Sequence, residues 1–295
     1  MRFGLKLLTV IFFTAFSYGE IIGGYASDYL DYGVGARAAA MGKAARTIMS
    51  DATAGYWNSA SLAKVKQSSI TYMNISLLDD VSYIHAGMAF PLGKSQTIAI
   101  NYIGLNVAGI EMHNGNQPSA TADKIFSAGA GSIMMSYGWE INKSFSVGCT
   151  GKYGFRNIDQ SNDSVLSCDL GFLMNINTIK VGGNIRNLLS IVGGDTSNQY
   201  ELDLDLGISG KITDKLLLTI DSARLLRGTA YYAGLEYLFI ESNSLNCSLR
   251  GGINSSEISA GFGLQVYCVS FDYACIINNI GTQHQVAFSY DLGAF

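Results

Sequence analysis

Charge and proline are what this chain has least of. Charged residues make up 14% of its 295 residues and proline occurs twice, whereas soluble domains carry about 25% charge. So few charges cannot coat a globule of this length, which argues against an ordinary water-soluble enzyme. Cysteine is scarce and unpatterned: Cys149, Cys168, Cys247, Cys268 and Cys275 form an odd set without a CxxC pair. A disulfide framework or zinc site needs better spacing, and such cysteines are expected to act as small apolar fillers. The three histidines, His85, His113 and His284, lie far apart in sequence and form no metal-ligand or Ser/His/Asp spacing. Neither enzyme activity, cofactor nor metal is expected from them. The net charge of −4 leaves no basic footprint for nucleic acid. Beyond residue 20 there is no apolar run of the roughly 20 residues a membrane helix needs.

What the chain does have is glycine (34), tyrosine (17) and an apolar content of 48%. Glycine at that level relieves curvature in a barrel wall, and tyrosine suits a lipid–water boundary. The first residues read as an export signal. Arg2 and Lys6 precede an apolar stretch, Leu7–Phe16, and Ser17-Tyr18-Gly19 supplies small residues where a signal peptidase cuts. Residues 1–19 are therefore expected to be removed.

From about residue 68 the dominant period is two. Phe145, Val147, Cys149, Gly151, Tyr153 and Phe155 share one face, against Ser146, Gly148, Thr150, Lys152 and Gly154. Leu166–Ile176 and Tyr200–Ile212 alternate in the same way. Such stretches exceed the usual five or six residues of a soluble strand and match the roughly 9–11 tilted residues that cross a bilayer. Reading the weaker stretches likewise gives about fourteen strands. Residues 67–295 are thus expected to be an all-β fold, a transmembrane antiparallel β-barrel of about fourteen strands in outer-membrane lipid. Short turns follow even-numbered strands. Longer connections at Glu111–Lys124, Ile158–Ser164, Leu188–Gln199 and Asn278–Gln283 follow odd ones, which would place both chain ends in the periplasm.

If the apolar faces meet lipid, the opposite faces line the lumen. They carry Lys152, Arg156, Asp169, Lys180, Arg186, Glu201, Asp203, Asp205, Asp221, Glu236, Arg250, Asp272 and Asp291. Mixed signs on neighbouring strands should pair across the interior, because an unpaired charge there is costly.

Residues 20–66 break the pattern. They are rich in small residues and read as helical over Ala36–Met49, with Asp51 opening a turn. GVGARA mimics a dinucleotide fingerprint, but no apolar strand precedes it and no βαβ unit follows. In a barrel whose amino terminus is periplasmic, such a segment is expected to enter the lumen as a small helical hatch.

The same stretch, GVGARAAAMGKA…SDATAGYWNSASLA, resembles the amino-terminal signature of the PorV/PorQ family within the FadL-like outer-membrane superfamily, usually GxGARxxxMGGA…DxxAxYWNPAGLA. Gly33, Gly35, Ala36, Arg37, Met41, Gly42, Asp51, Ala54, Tyr56, Trp57, Asn58 and Leu62 match it. AFPLGKSQTIAINY, AGLEY, LRGGI, SAGFGL and FDYA extend the likeness along the chain. The resemblance implies a fourteen-stranded barrel with an amino-terminal hatch. It further implies passage of hydrophobic small molecules or, alternatively, a type IX secretion role that receives and shuttles exported proteins. Two departures fall in the hatch: Asn58-Ser59-Ala60-Ser61 replaces Asn-Pro-Ala-Gly, and Lys43 replaces the second Gly of Met-Gly-Gly. At the other end Phe288, Tyr290 and Leu292 are in phase with the lipid face. Phe295 is one residue out unless Gly293 bulges. Together they form an expected signal for the barrel assembly machinery.

Overall fold

The computed structural model describes residues 27–78, 80–113, 124–159, 161–193, 199–224, 228–279 and 281–293. Strands β1 (Ser68–Leu78), β2 (Val81–Pro91), β3 (Gln96–Met112), β4 (Lys124–Asn142) and β5 (Phe145–Ile158) each pair with the next. The meander continues through β6 (Ser161–Ile176), β7 (Ile179–Gly193), β8 (Asp203–Thr213), β9 (Leu216–Ala223) and β10 (Ala230–Glu241). It ends with β11 (Leu245–Asn254), β12 (Ile258–Val266), β13 (Val269–Ile277) and β14 (Thr282–Leu292). β14 then pairs antiparallel with β1, from Ser68 opposite Leu292 to Ser76 opposite His284. Closure leaves no sheet edge, which is what lets a sheet cross lipid with every ladder group satisfied.

The period-two pattern becomes two environments. In β8 Asp203, Asp205, Gly207 and Ser209 are buried while Leu206 and Ile208 are exposed. The outward residues form an apolar band that water would not tolerate: Met135 and Leu189 are 65% and 64% exposed. Cys149 lies on this outer face, and all five cysteines are free thiols. A charge in the band is costly, so Ile208→Arg is expected to destabilise the barrel by about 2–4 kcal/mol. Reversible urea unfolding from lipid vesicles would measure it.

Several strands run longer than the alternation suggested. Ile158–Ser164, expected as a loop, is largely ladder: β5 runs to Ile158, Asp159 takes φ 53°, and β6 starts at Ser161. Likewise Leu188–Gly193 belongs to β7, and Glu111, Met112 and Lys124 belong to β3 and β4. Above the lipid neither face need be apolar, so the ladder continues after the hydrophobic pattern has stopped. β8, conversely, starts at Asp203 rather than Tyr200. Glu201, expected on a lumen face, is exposed in the connection before it.

Inside the barrel sit residues 27–66. Short 3₁₀ turns at Asp28–Tyr32 and Ser59–Lys64 flank helices α1 (Ala36–Ala40) and α2 (Ala54–Trp57). The helix expected over Ala36–Met49 therefore stops after five residues. Gly42 and Lys43 both take left-handed backbone, φ 64° and 67°, which ends a right-handed helix. Close approach enforces the first: a Cβ on Gly42 would lie 2.6 Å from the Ile253 backbone nitrogen.

Candidate functional site

Two surfaces of small residues make the inner segment fit. Ala36, Ala38, Ala40, Met41, Ala45, Ala52 and Leu62 are at most 1% exposed, and the wall presents glycines to them. A Cβ on Gly252 would meet the Gly42 nitrogen at 2.0 Å, and one on Gly148 the Ala60 nitrogen at 2.4 Å. The segment thus packs backbone against wall, which leaves no water between them at those points.

Polar contacts internal to the segment fix its shape. Trp57 Nε1 donates to the Val34 carbonyl at 2.9 Å, with its ring against Gly33. Tyr56 donates through its hydroxyl to the Leu30 carbonyl, and burial raises its phenol well above the ordinary range. The Asp51 carboxylate accepts from the Thr53 backbone nitrogen at 2.9 Å, forming the turn that opens α2. Asn58 takes over what a Pro-Gly turn would do. Its Oδ1 accepts from the Ala60 nitrogen at 3.1 Å, and its Nδ2 donates to the Arg46 and Phe172 carbonyls. Gly35 donates to Met73 Sδ at 3.0 Å.

Ion pairs bind the segment mainly to the β8–β12 side of the wall, and Lys64 at its end reaches Glu140 of β4 at 2.7 Å. Arg46 lies between Asp205 (3.1 Å) and Asp221 (3.3 Å), all three at most 4% exposed. Its guanidinium is sandwiched between the Trp57 and Tyr232 rings, at 5.6 and 5.0 Å. Burial alone would weaken that cation, but Asp205 and Asp221 outweigh it and hold Arg46 charged. Arg37 grips Glu236 with Nε at 2.8 Å and Nη2 at 2.7 Å, the bidentate geometry that favours arginine. Arg250 shares Glu236 and reaches Asp272 at 2.5 Å. Arg186 contacts Asp205 at 3.1 Å, and Arg224 pairs with Asp31.

The remaining inward charges lie elsewhere on the wall. Lys152 pairs with Asp169 at 2.6 Å, and Arg156 with Asp163 at 3.1 Å. Asp203, fully buried, is 3.9 Å from Arg186. Lys180 and Asp291 are half-buried on β7 and β14. The sequence reading missed Asp31, Lys43, Arg46 and Thr47 as partners of the wall. One signal was present: β8 and β9 carry three inward carboxylates, Asp203, Asp205 and Asp221, opposed by one strand arginine, so a further cation had to come from outside the sheet.

At the end of the barrel opposite the start of β1 and the close of β14 lies an open vestibule of about 380 Å³, walled by Tyr29, Tyr32, Leu105, Lys43, Tyr232 and Glu257 among others. Lys43 Nζ sits 3.0 Å from Glu257 Oε2. Burial would raise the Glu257 carboxyl, but Lys43 and Asn254 outweigh it and hold the pKa below the usual carboxylate range. A carboxyl depressed by folding stabilises above its unfolded pKa of about 4.3. That contribution is lost as pH falls through the lower folded value. Acidification from pH 7 to below about 4 is therefore expected to loosen the Lys43 turn, and Glu257→Gln to abolish that pH response. Hydrogen exchange at the Lys43 amide, which donates to the Ala38 carbonyl at 2.8 Å, reads both.

The histidines stay apart. His85 is buried in the lumen with Nε2 2.9 Å from Asn101 Oδ1, His284 Nδ1 is 2.7 Å from the Tyr273 hydroxyl, and His113 directly follows β3. At the carboxyl end Phe288 and Leu292 are 50% and 38% exposed on the outer face, and Tyr290 is half-exposed beside them. Gly293 has φ 103°. Phe295 and residues 1–19, expected as an export signal, lie outside the described residues.

With the strand count, closure and inner segment in place, solved structures show the same architecture. The CymD monoaromatic hydrocarbon channel superposes with a TM-score of 0.63 at 12% identity, over 88% of this chain and 98% of that one. The toluene transporter TodX of Pseudomonas putida gives 0.64 at 10% identity, over 88% and 99%. The fold is the fourteen-stranded antiparallel barrel that these channels share. No family model and no curated protein matches the chain.

Proposed function

We propose that this protein passes small hydrophobic molecules across an outer membrane, with residues 27–66 acting as a hatch. The observation that carries this is the filled lumen. A fourteen-stranded wall encloses space that side chains alone do not fill. Here it is occupied by a separate segment held through side chains rather than by strand pairing. The neighbours named above, a hydrocarbon channel and a toluene transporter, support the same reading. In it, residues 1–19 direct export, both chain ends are periplasmic, and Phe288, Tyr290, Leu292 and Phe295 address the barrel assembly machinery. The role is transport rather than catalysis.

The test is accumulation of radiolabelled naphthalene by cells carrying the protein in an outer membrane, compared with matched cells lacking it. Faster accumulation is expected, and equal rates in assembled, protease-resistant barrels would refute it. The secretion reading implied by the PorV/PorQ resemblance draws less support. Its signature residues Ala36, Met41, Trp57 and Asn58 are buried in the packing of the hatch and present no surface to a cargo protein.

A further inference from the structure

The two sides of the inner segment are held very differently. Toward β8–β13 it makes the Arg37, Lys43 and Arg46 ion pairs. On that side Thr47 Oγ1 also meets Ser209 Oγ at 2.8 Å, and Gly42 donates to Ser259 Oγ at 3.1 Å. Toward β1–β3, among the described residues, one hydrogen bond crosses: Gly35 to the thioether of Met73. The inner face of those three strands carries a row of polar atoms without a hydrogen-bond partner, Ser69 Oγ, Thr71 Oγ1, Tyr83 OH, His85 Nδ1 and Asn101 Nδ2, where other strands show them singly or in pairs, as at Ser132, Ser146, Thr219 and Asp221. Each belongs to a residue at most 3% exposed. Native interiors rarely leave such groups unpaired in dry packing.

The row also has a direction. Tyr83 pairs across the ladder with Leu105, which walls the vestibule. Ser69 lies opposite Asp291, near the start of β1 and the end of β14. Between them, beside Thr71 and His85, is a cavity of about 20 Å³, roughly the room one water needs. The row therefore runs from the vestibule to the periplasmic end. Arg37, Asp51 and Asp272 border that cavity, but each is already engaged: Arg37 by Glu236, Asp272 by Arg250, and Asp51 by Thr53.

We propose that solute crosses this barrel along the seam between the inner segment and β1–β3, while the segment stays fixed to β8–β13. The inference rests on the transport reading and adds to it a route and a selectivity. Separation along the seam breaks one thioether contact, whereas separation on the other side strands paired charges in a low-dielectric interior. The exposed seam would offer hydroxyl, imidazole and amide groups to water or to a neutral solute. The charges that border it are already paired, so a charged solute finds no free counter-ion there, and neutral compounds are preferred over carboxylates of similar size.

Two staples test the route in a protein whose native cysteines are replaced by serine. Ala52→Cys with Gly87→Cys spans the seam, where a Cβ on Gly87 would lie 3.1 Å from that of Ala52, a little inside disulfide range. Thr47→Cys with Ser209→Cys spans the anchored side. In vesicles with a lipopolysaccharide outer leaflet, the oxidised seam staple is expected to abolish naphthalene uptake, and reduction to restore it. The oxidised Thr47–Ser209 staple is expected to leave uptake unchanged.

Uptake through a fully oxidised seam staple, or its loss with the other staple, overturns the route. Absence of uptake even in the unmodified protein removes the transport reading itself, a distinguishable result. A gentler pair of variants guards against misfolding. A water-soluble thiol reagent should label Thr71→Cys at least about tenfold faster than Ser209→Cys, as the less protected site opens more often. Equal labelling rates contradict the proposal.

Discussion

Replacing Arg46 with alanine is expected to release the inner segment and open a water-filled pore. Arg46 sits against Asp205 and Asp221 in a site at most 4% exposed. Removing it leaves Arg186 beside Asp205 but strips Asp221 of its cation. Breaking one side of a buried pair costs about 3–5 kcal/mol, a large share of any docking energy for so short a segment. The barrel should remain intact, because its ladders do not depend on Arg46. Planar-bilayer recordings should show a steady conductance that the native protein lacks, and Trp57 emission should shift as its ring meets water. Arg46→Lys should rescue only in part: one ammonium cannot bridge two carboxylates and stack between Trp57 and Tyr232 as a planar guanidinium does. A silent Arg46→Ala variant, with native Trp57 emission, would show that the segment is held by packing alone.

The second large effect is expected at Glu236. Its carboxylate takes Arg37 at 2.7 Å and Arg250 at 2.7 Å, so Glu236→Ala leaves two arginines with only Asp272 nearby. A loss of about 3–5 kcal/mol should undock α1 and expose the bonds after Arg37 and Lys43 to trypsin. Removing Arg37 as well restores the balance, since Arg250 and Asp272 then pair one to one at 2.5 Å. Cleavage after Lys43, a site both variants keep, should thus be slower in the double variant than in Glu236→Ala alone, a coupling expected of residues in one network. Additive or greater sensitivity in the double variant would contradict this account of the charges.

The wall was more legible in the sequence than its contents. β5, β6 and β8 announce themselves because lipid on one face and lumen on the other force strict alternation. That alternation also places Cys149 outward and Lys152 inward. Where the ladder rises beyond lipid the constraint lapses, so Ser161-Asn162-Asp163-Ser164 read as loop though it is strand. The inner segment is harder for a different reason. Its helical composition over Ala36–Met49 is real, but Gly42 must meet the wall backbone, and tertiary contact overrides local propensity. Asn58 shows the reverse: the missing Pro-Gly looked disruptive, yet its side chain caps the Ser59–Lys64 turn. Lys43 keeps the left-handed backbone expected of the glycine it replaces, and its side chain reaches Glu257.

The most direct test of the account is naphthalene flux into lipopolysaccharide-faced vesicles containing the purified protein, recorded together with ion leak. Hatch-gated passage predicts flux well above that of protein-free vesicles, with ion leak no greater than theirs. Flux equal to that of protein-free vesicles, from barrels shown to be folded, would contradict it.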